Sequence, residues 1–385
     1  SAPRYHLINI VIKKFLQKTF KKISYSFFLK IYGNIKGSVK PDTKERIKVK
    51  NFDIEKNLNY KIYEIANGRL YTDRIHDTAI IIDNKIIEGP SFQLRYADES
   101  KMYNSKIEDN IVFTKGTPRI LKNLKGSVLS LLTGGGGNNN YWHWLFDVLP
   151  RLGLCRNYIK LEDINYFLLP NLIRKFQNET LDFLNIPTQK RLSSEKFRHI
   201  KADKLIVTDH PFVVTGNATK DMMDMPKWIS QWLKENFLIK NPNTNGKSIK
   251  KIYIDRNDDP SNKFPLRLIS NENEVKEYLL ENNFISIKLH ETEFSEQIKL
   301  FNNAEYIVGL HGGGFANIVF CKPKTKIIEL KSTYAGTPIE NLAKKNNLNY
   351  HSISIDAKPI HEYGFPNQQG SIEVPINKLT DILNS

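Results

Sequence analysis

Apolar residues recur at helical spacing in some segments of this chain and in short strand-like runs in others. These patterns divide the chain into three parts. Residues 4–32 carry apolar side chains at helical spacing with lysines between them, which predicts a basic amphipathic helix, and a charged linker continues to residue 50. Residues 51–240 open with short apolar runs that predict strands, and then alternate strand and helix patterns. Residues 241–385 alternate the two patterns throughout, after a polar, glycine-bearing stretch at residues 240–250. We therefore predict an α/β protein with a helical first segment and two domains.

The second part begins with predicted strands that carry no candidate catalytic or binding residues. Apolar runs between turn residues predict strands at residues 60–65, 78–82, 85–87, 111–114 and 127–132. Asp83 and Asn84 predict a hairpin turn between the second and third of these strands. Asp73, His76 and Asp77 are expected to be solvated loop residues.

The third part predicts a parallel, doubly wound sheet. Its strands and helices are expected, in alternation, at residues 252–254, 272–281, 284–289, 294–302, 306–310, 315–320 and 326–330. Arg256 follows the first strand, at the edge where such sheets bind ligands, and Arg267 is expected in the loop before the first helix. Two arginines converging there suit a pyrophosphate, because guanidinium binds phosphate oxygens bidentately. Residues 372–383 predict a helix that packs back across the cleft between the domains.

A glycine turn, residues 312–314, follows the strand that ends at Leu310 and precedes a short helix. Glycine leaves such a turn free to adopt positive φ. The first N–H groups of a helix lack intrahelical partners and carry the positive end of its dipole, so a phosphate is expected there. Glu329 ends the next strand on the same edge, where a carboxylate could accept ribose hydroxyls. The stretch predicts a nucleotide site.

A second glycine-rich stretch, residues 133–152, joins a loop of glycines and asparagines to a helix rich in aromatic residues. His143 and Asp147 stand four residues apart on this helix and therefore share a face. We predict that His143 is a general base and that Asp147 orients it. Two alternatives stay open: Asp147 acts directly while His143 positions the acceptor, or the pair is a packed histidine with a local partner.

Composition narrows the class of protein. A net charge of +16 and a pI near 9.5 favour anionic partners, which include phosphorylated substrates, anionic lipids and nucleic acids. Cys155 and Cys321 lie far apart without metal-ligand spacing, which favours a reducing compartment. No apolar run of about 20 residues and no signal-peptide pattern occurs. We expect a cytoplasmic protein whose residues 4–32 either lie on the inner face of an anionic membrane or pack on their own domain.

Several motifs resemble, in order, the signatures of glycosyltransferase family 61. Residues 140–151, Asn-Tyr-Trp-His-Trp-Leu-Phe-Asp-Val-Leu-Pro-Arg, resemble the first of them. The later signatures are resembled by residues 253–256, Arg267, Asn271 with Glu272, and residues 294–297, 311–317 and 328–329. The resemblance covers about residues 134–330, with a mild departure where Gly313, Gly314 and Phe315 replace the family's frequent alanine and leucine.

The resemblance implies an inverting glycosyltransferase with two facing Rossmann-like domains, the GT-B architecture, and no need for a metal or other cofactor. The expected donor-binding residues are Arg256, Arg267, His311, Gly312, Gly313, Gly314, Asn317 and Glu329. The expected acceptor-binding or positioning residues are Asn140, Trp142, Arg151, Glu293 and Gln297. The implied partners are a nucleotide sugar and a glycan or lipid-linked acceptor, in the synthesis of a surface polysaccharide or glycan, and the oligomeric state stays open.

Two other classes of protein remain as alternatives. A Rossmann oxidoreductase is expected to carry Gly-x-Gly-x-x-Gly and an acidic residue about 20 positions later, where this chain has His-Gly-Gly-Gly-Phe-Ala-Asn. A nucleic-acid-binding protein would use the positive charge, but no binding module is recognisable, so we expect no nucleic-acid partner. Asp258 and Asp259 lie in a polar loop and are not expected to bind a metal.

Overall fold

The structure, a computed structural model, describes residues 2–73, 78–91, 93–96, 102–132, 140–215, 217–240, 249–256, 266–360 and 370–385. For residues 2–15, 93–96, 102–105 and 218 it describes the backbone alone. Several predicted features lie outside the described residues: His76 and Asp77, the loop at 133–139, the pair Asp258 and Asp259, and most of the linker at 240–250.

The first part of the described chain is a long helix followed mainly by strands. In chain order its elements are α1 (Ala2–Tyr32), β1 (Ser38–Val39), β2 (Ile47–Glu55), β3 (Leu58–Ala66), β4 (Arg69–Thr72), β5 (Thr78–Ile82), β6 (Lys85–Ile87), β7 (Gln93–Tyr96), β8 (Met102–Ser105), α2 (Val112–Lys115), β9 (Lys122–Ser130), α3 (Tyr141–His143), α4 (Pro150–Cys155), β10 (Tyr166–Leu169), α5 (Lys175–Phe183), β11 (Arg191–Ser193) and β12 (His199–Thr208). A π-helical segment, Trp144–Val148, joins α3 to α4.

The second part alternates helices and strands. Its elements are α6 (Ala218–Met223), α7 (Lys227–Leu233), β13 (Lys251–Asp255), β14 (Arg267–Ile269), α8 (Glu272–Glu281), β15 (Ile285–Lys288), α9 (Phe294–Asn303), β16 (Tyr306–Leu310), β17 (Lys326–Ser332), α10 (Pro338–Lys345), β18 (Asn349–Ile355), β19 (Gly370–Ile372) and α11 (Ile376–Asn384). A π-helical segment, Lys234–Leu238, continues α7, and a 3-10 helix, Gly313–Phe320, follows β16.

The larger sheet of the described chain is mixed. Its strands lie in the order β1-β6-β5-β4-β12-β9-β10-β11, and β3 pairs with both β12 and β2. β12, β9, β10 and β11 are parallel neighbours, whereas the pairs β2–β3, β4–β5 and β5–β6 are antiparallel. Tight turns join only antiparallel strands, so the short turns before residue 90 produce a meander. The prediction of a Rossmann-like first domain therefore fits only the parallel side of this sheet.

β13, β15, β16, β17 and β18 form a second sheet in which every neighbouring pair is parallel, in the order β15-β13-β16-β17-β18. Counted along the chain this is the order 2-1-3-4-5 of flavodoxin-like sheets. The order reverses between β13 and β16, and such sheets bind ligands at the carboxyl ends of the strands beside the reversal. Arg256 follows β13 and His311 follows β16. The predicted α/β class and parallel sheet are confirmed.

The two sheets share apolar packing through the helices between them. Phe294 of α9 packs edge-on against Phe237, with ring centroids 5.1 Å apart, and against Phe183 at 6.2 Å. One cluster of buried apolar residues joins these rings to Ile252 and Ile254 on one face of the second sheet. Two Rossmann-like domains facing each other across a cleft remain a prediction.

Two local predictions were wrong and one was confirmed. Residues 111–114 form the short helix α2 in place of a strand, because the Asn110 side chain accepts the N–H of Val112 at 3.2 Å. The predicted linker at residues 41–50 contributes the start of β2 to the larger sheet. The hairpin is present between β5 and β6, with Asp83 and Asn84 at φ values of 50° and 54°.

Both ends of the described chain are helical, in α1 and α11. α11 packs on its own sheet rather than across a cleft, with Leu379 buried and Lys326 Nζ donating to the Ile382 carbonyl at 3.0 Å. α1 ends where Gly33 adopts a φ of 78°. Within the described residues, no helix combines the length and the apolar character that crossing a membrane requires.

Candidate active site

Two arginines converge on the glycine turn at the reversal of the second sheet. Arg256 Nη1 and Arg267 Nη1 both donate to the His311 carbonyl, at 3.0 and 2.5 Å. A Cβ at Gly312 would overlap the Arg256 guanidinium, so the close approach requires glycine at this position. The backbone of Gly312 is extended, with a φ of 162°, and neither Gly313 nor Gly314 has positive φ. The predicted freedom of φ is therefore not what this turn uses.

The two guanidinium groups repel each other in a partly dry environment. The pKa of Arg267 is lowered to about 10, first by burial and then by the neighbouring Arg256, while Glu329 opposes the shift. Asp255, the adjacent carboxylate, is paired with Lys276 Nζ at 2.9 Å. Two neighbouring positive charges attract an anion. Arg256 and Arg267 therefore form a preorganised site for a group such as a diphosphate.

A cavity of about 550 Å³ opens beside the arginines. Its walls come from both halves of the chain: Arg256, Arg267, Gly313, Gly314 and Gln297 on one side, and Asn140, Tyr141, Arg174, Lys175 and Glu179 on the other. Its volume lies within the range of sites for small organic ligands.

The glycine turn and the start of α3 meet at this cavity. Asn140 caps α3 by accepting the N–H of Trp142 at 2.9 Å, and its Oδ1 would lie 3.4 Å from a Cβ at Gly313. The Tyr141 hydroxyl donates to Asn317 Oδ1 at 2.6 Å. The structure therefore brings together the two glycine-rich stretches that the sequence singled out.

His143 and Asp147 are hydrogen-bonded, with 2.8 Å between His143 Nδ1 and Asp147 Oδ2. The His143 side chain is 21% exposed and that of Asp147 is 0% exposed. Asp147 lies on the π-helical segment, a local insertion that occurs frequently at functional sites. Neither residue lines the described walls of the cavity, but Asn140, one helical turn before His143, does.

A second histidine and an arginine surround Asp147. His210 is buried, and its Nδ1 accepts the N–H groups of Phe212 and Val213 at 3.3 Å each, so a neutral ring carries its proton on Nε2. That Nε2 lies 3.9 Å from Asp147 Oδ2, and burial holds the pKa of His210 well below its usual range. Arg151 Nε donates to the Asp147 carbonyl at 3.1 Å, and burial lowers the pKa of Arg151 to about 10.

Sequence comparison relates the part of the chain that forms this site to a known protein family. Residues 141–328 match the model of the family described as Glycosyltransferase 61. A β-1,2-xylosyltransferase of Arabidopsis thaliana is 29% identical over 104 residues, which are 27% of this chain and 18% of that protein. The chain thus matches less than a fifth of the length of this relative. The predicted resemblance is confirmed.

Five residues that the sequence predicts to contact donor or acceptor make their side-chain contacts within the chain. The buried Asn317 uses its amide on Tyr141 and on Gln297, at 2.6 and 2.7 Å. Trp142 packs on Phe146 in the core, Arg151 is buried behind Asp147, and Glu293 is exposed with Lys175 Nζ at 3.5 Å. The fifth residue, Glu329, is fully buried.

Glu329 holds His311, the residue before the glycine turn, through a hydrogen bond. One carboxylate oxygen bonds His311 Nδ1 and the other accepts the Tyr350 hydroxyl. Burial lowers the pKa of His311, and the Glu329 carboxylate opposes that shift. Both oxygens are used within the protein, so Glu329 orients His311, and the expected ribose contact stays a prediction.

Gln297 lies at the cavity, and its positioning role stays a prediction. It lines the cavity, and its amide donates to the carbonyls of Leu289 and Thr292 at 2.8 and 2.9 Å. Arg174 and His210 are residues that the sequence did not indicate. Arg174 precedes α5 and lines the cavity, whereas His210 follows β12 and lies beside Asp147, so both positions depend on contacts across the fold. Among the described residues, no group of three or more His, Cys, Asp or Glu side chains could hold a metal ion.

Proposed function

We propose that this chain is an inverting glycosyltransferase that moves a sugar from a nucleoside diphosphate sugar to a hydroxyl of a glycan or lipid-linked acceptor. The observation that carries the proposal is the convergence of Arg256 and Arg267 on Gly312, at the reversal of a parallel sheet. Guanidinium pairs bind a diphosphate well, and this edge of the sheet is where nucleotides bind. The glycosyltransferase 61 match supports the same reaction.

The proposed reaction is a single displacement. The acceptor oxygen forms a bond to the anomeric carbon while the bond from that carbon to the diphosphate oxygen breaks. The acceptor proton passes to His143 Nε2, and the nucleoside diphosphate leaves with the electron pair. Arg256 and Arg267 stabilise the charge that develops on the leaving group. Attack on the face opposite the leaving group inverts the anomeric centre.

Burial favours His143 over Asp147 as the base. The carboxylate of Asp147 has no exposed surface, so it reaches an acceptor only through the imidazole. With Nδ1–H donated to Asp147, the Nε2 lone pair is free to accept a proton. Asp147 then stabilises the imidazolium that forms. The base therefore belongs to the first half of the chain and the donor site to the second, as in the proposed GT-B arrangement.

Several finer points belong to the same proposal. The relative's name makes a pentose the first sugar to test, with hexoses next. The reaction needs no metal if the arginines neutralise the diphosphate. Cys155 and Cys321 are buried free thiols, which agrees with a cytoplasmic location. Neither an oxidoreductase nor a nucleic-acid-binding protein is favoured by the family match.

The donor site is tested by binding. A panel of nucleoside diphosphate pentoses and hexoses is screened by thermal shift, because a ligand that binds the folded state raises its melting temperature. For the sugar nucleotide that binds, we expect Arg256→Ala to weaken the affinity by about 2 kcal/mol in calorimetry, the scale of a lost charge-assisted contact. The matched control is Arg156→Ala, since Arg156 is an exposed arginine paired with Glu235 at 3.2 Å. Equal affinities in both variants would refute the assignment.

The base is tested without knowledge of the acceptor. Many transferases slowly hydrolyse their donor, so release of nucleoside diphosphate is followed with water as the acceptor. We expect the double variant His143→Gln, Asp147→Asn to lose this release by a factor of about 100 or more, the scale of general-base catalysis, with donor affinity kept. Near-normal release with intact donor binding would mean that the pair is structural.

A further inference from the structure

One face of α1 is a stripe of large apolar side chains exposed to solvent. These side chains are between 53% and 73% exposed, and they belong to Leu16, Phe20, Ile23, Phe27 and Ile31. They recur every three or four residues, so they lie one above the other along the helix. A contiguous apolar patch of this kind on a folded protein marks an interaction surface.

The opposite face of α1 is already used. The Tyr32 ring packs edge-on against His199 with centroids 4.9 Å apart, and its hydroxyl accepts the N–H of Leu121 at 2.9 Å. Leu29 lies against Gly116, and the Tyr25 ring lies 6.0 Å from Lys115 Nζ. These contacts fix the last turns of α1 to the larger sheet and leave the apolar stripe on the outer side. The stripe is therefore not the face by which α1 packs on its own chain.

The charge of α1 indicates which kind of partner covers the apolar stripe. The sequence of α1 contains no Asp or Glu, and its basic residues are Arg4, Lys13, Lys14, Lys18, Lys21, Lys22 and Lys30. Lys18, Lys21, Lys22 and Lys30 are exposed. A second copy of α1 docked along the stripe would bring together two helices that each carry seven basic residues and no acidic residue, which is unfavourable. A surface of anionic lipid matches both the apolar stripe and the lysines.

We propose that α1 docks the protein on an anionic lipid surface, with the apolar stripe inserted at the level of the lipid headgroups. The apolar side chains of the stripe enter the acyl boundary, Lys30 beside the stripe reaches the phosphates, and the other basic residues of α1 add longer-range attraction to the anionic surface. Each lysine near the surface strengthens binding about fivefold. The proposal is independent of the sugar-transfer reaction, since it uses no residue of the candidate active site.

Vesicle flotation of the full chain tests the proposal. Vesicles that contain phosphatidylglycerol are compared with vesicles of phosphatidylcholine alone, at 0.15 M and 1 M salt, conditions that separate a Debye length of about 8 Å from one of about 3 Å. We expect binding to the anionic vesicles only, weakened by high salt. The triple variant Leu16→Glu, Phe20→Glu, Ile23→Glu should lower the partition coefficient at least about tenfold, because three charges enter the inserted face.

The matched control carries the same change at exposed apolar residues of other elements. Ile120, Ile239 and Leu280 are 70% to 73% exposed, so Ile120→Glu, Ile239→Glu, Leu280→Glu alters charge equally and should keep its binding. Circular dichroism verifies that both variants are folded. Equal flotation on phosphatidylcholine, equal losses in both variants, or no flotation of the parent chain would overturn the proposal. So would a lipid-free dimer, seen by sedimentation, that the α1 variant dissociates and the control does not.

Discussion

The pair His143 and Asp147 is where single residues decide the chemistry. An imidazole base cannot accept a proton once it is protonated, so kcat/KM should fall as the solution becomes acidic. A carboxylate base holds activity to a lower pH than an imidazole base does. We expect the histidine profile, because only His143 has surface that an acceptor can touch. The measurement is donor turnover from pH 5 to pH 9.

The variants separate this profile from acid unfolding. Asp147→Asn should keep the loss of activity at acidic pH at a reduced kcat/KM, because the imidazole base is still present, whereas His143→Gln should leave residual turnover without that loss. Circular dichroism at each pH identifies loss of the fold. Activity that stays constant down to pH 5 in the parent chain would assign the base to Asp147.

What the sequence predicts at this scale depends on how local the contact is. The bond between His143 and Asp147 follows from helical spacing, and the structure confirms it at 2.8 Å. His210 reaches the same carboxylate from the end of β12, and no local pattern indicates that approach. The same limit explains Glu329 and Asn317, since spacing along the chain does not show which partners a buried polar side chain already has.

At the scale of secondary-structure elements, the turn after β16 tests whether donor binding needs the space that Gly312 leaves for Arg256. In Gly312→Ala the new methyl group must displace the Arg256 guanidinium, which is the far end of a flexible side chain. The backbone there is extended, so alanine adds no strain. We expect donor affinity to fall by about 2 kcal/mol, as for a lost charge-assisted contact, with stability unchanged. Calorimetry and urea unfolding measure the two quantities.

The neighbouring glycine is the matched control. A Cβ at Gly313 would have its nearest neighbour, Asn140 Oδ1, at 3.4 Å, so Gly313→Ala fits with little movement. It should lose much less donor affinity than Gly312→Ala. Equal losses would show that the turn needs glycine for another reason than space for Arg256.

Elements were predictable where their pattern was local and strong. The strand at 78–82 and the helix at 272–281 coincide with β5 and α8. The prediction at 111–114 was wrong because four apolar or β-branched residues fit a strand as well as a helical turn, and the bond from the Val112 N–H to the Asn110 side chain favours the helix. The glycine turn was located correctly, but its reason, room for a guanidinium, is a tertiary contact.

At the scale of the whole molecule, the second sheet was predictable and the first was not. Alternating strand and helix patterns leave a parallel sheet as the compact solution, and the order β15-β13-β16-β17-β18 agrees. In the first part, the strand pattern does not show that β12 pairs with β3, β4 and β9 at once. Pairing over such separations is set by the packing of the entire sheet.

The stability of the whole chain should depend on pH through His199, which joins α1 to the larger sheet. Its ring is buried between Tyr32 and Tyr71, bonds the Arg119 carbonyl through Nδ1 at 2.8 Å and lies 3.2 Å from Arg69 Nη2. Burial lowers the pKa of His199 to about 4, and the Arg69 charge contributes to the shift while the bond to Arg119 opposes it. The neutral ring is therefore the form that the folded state accommodates.

The sign of the effect follows from this depressed pKa. The unfolded chain takes up a proton on this histidine below about pH 6.5, whereas the folded chain does so only below about pH 4, so stability is present above pH 6.5 and is lost between these values. The loss amounts to about 3 kcal/mol. Urea unfolding at pH 7 and pH 4.5 measures it. His199→Gln removes the titration and should flatten the dependence by most of that amount, while His290→Gln, at the rim of the cavity, should leave it unchanged. Identical pH dependence in the parent chain and both variants would show that His199 is not the group that titrates.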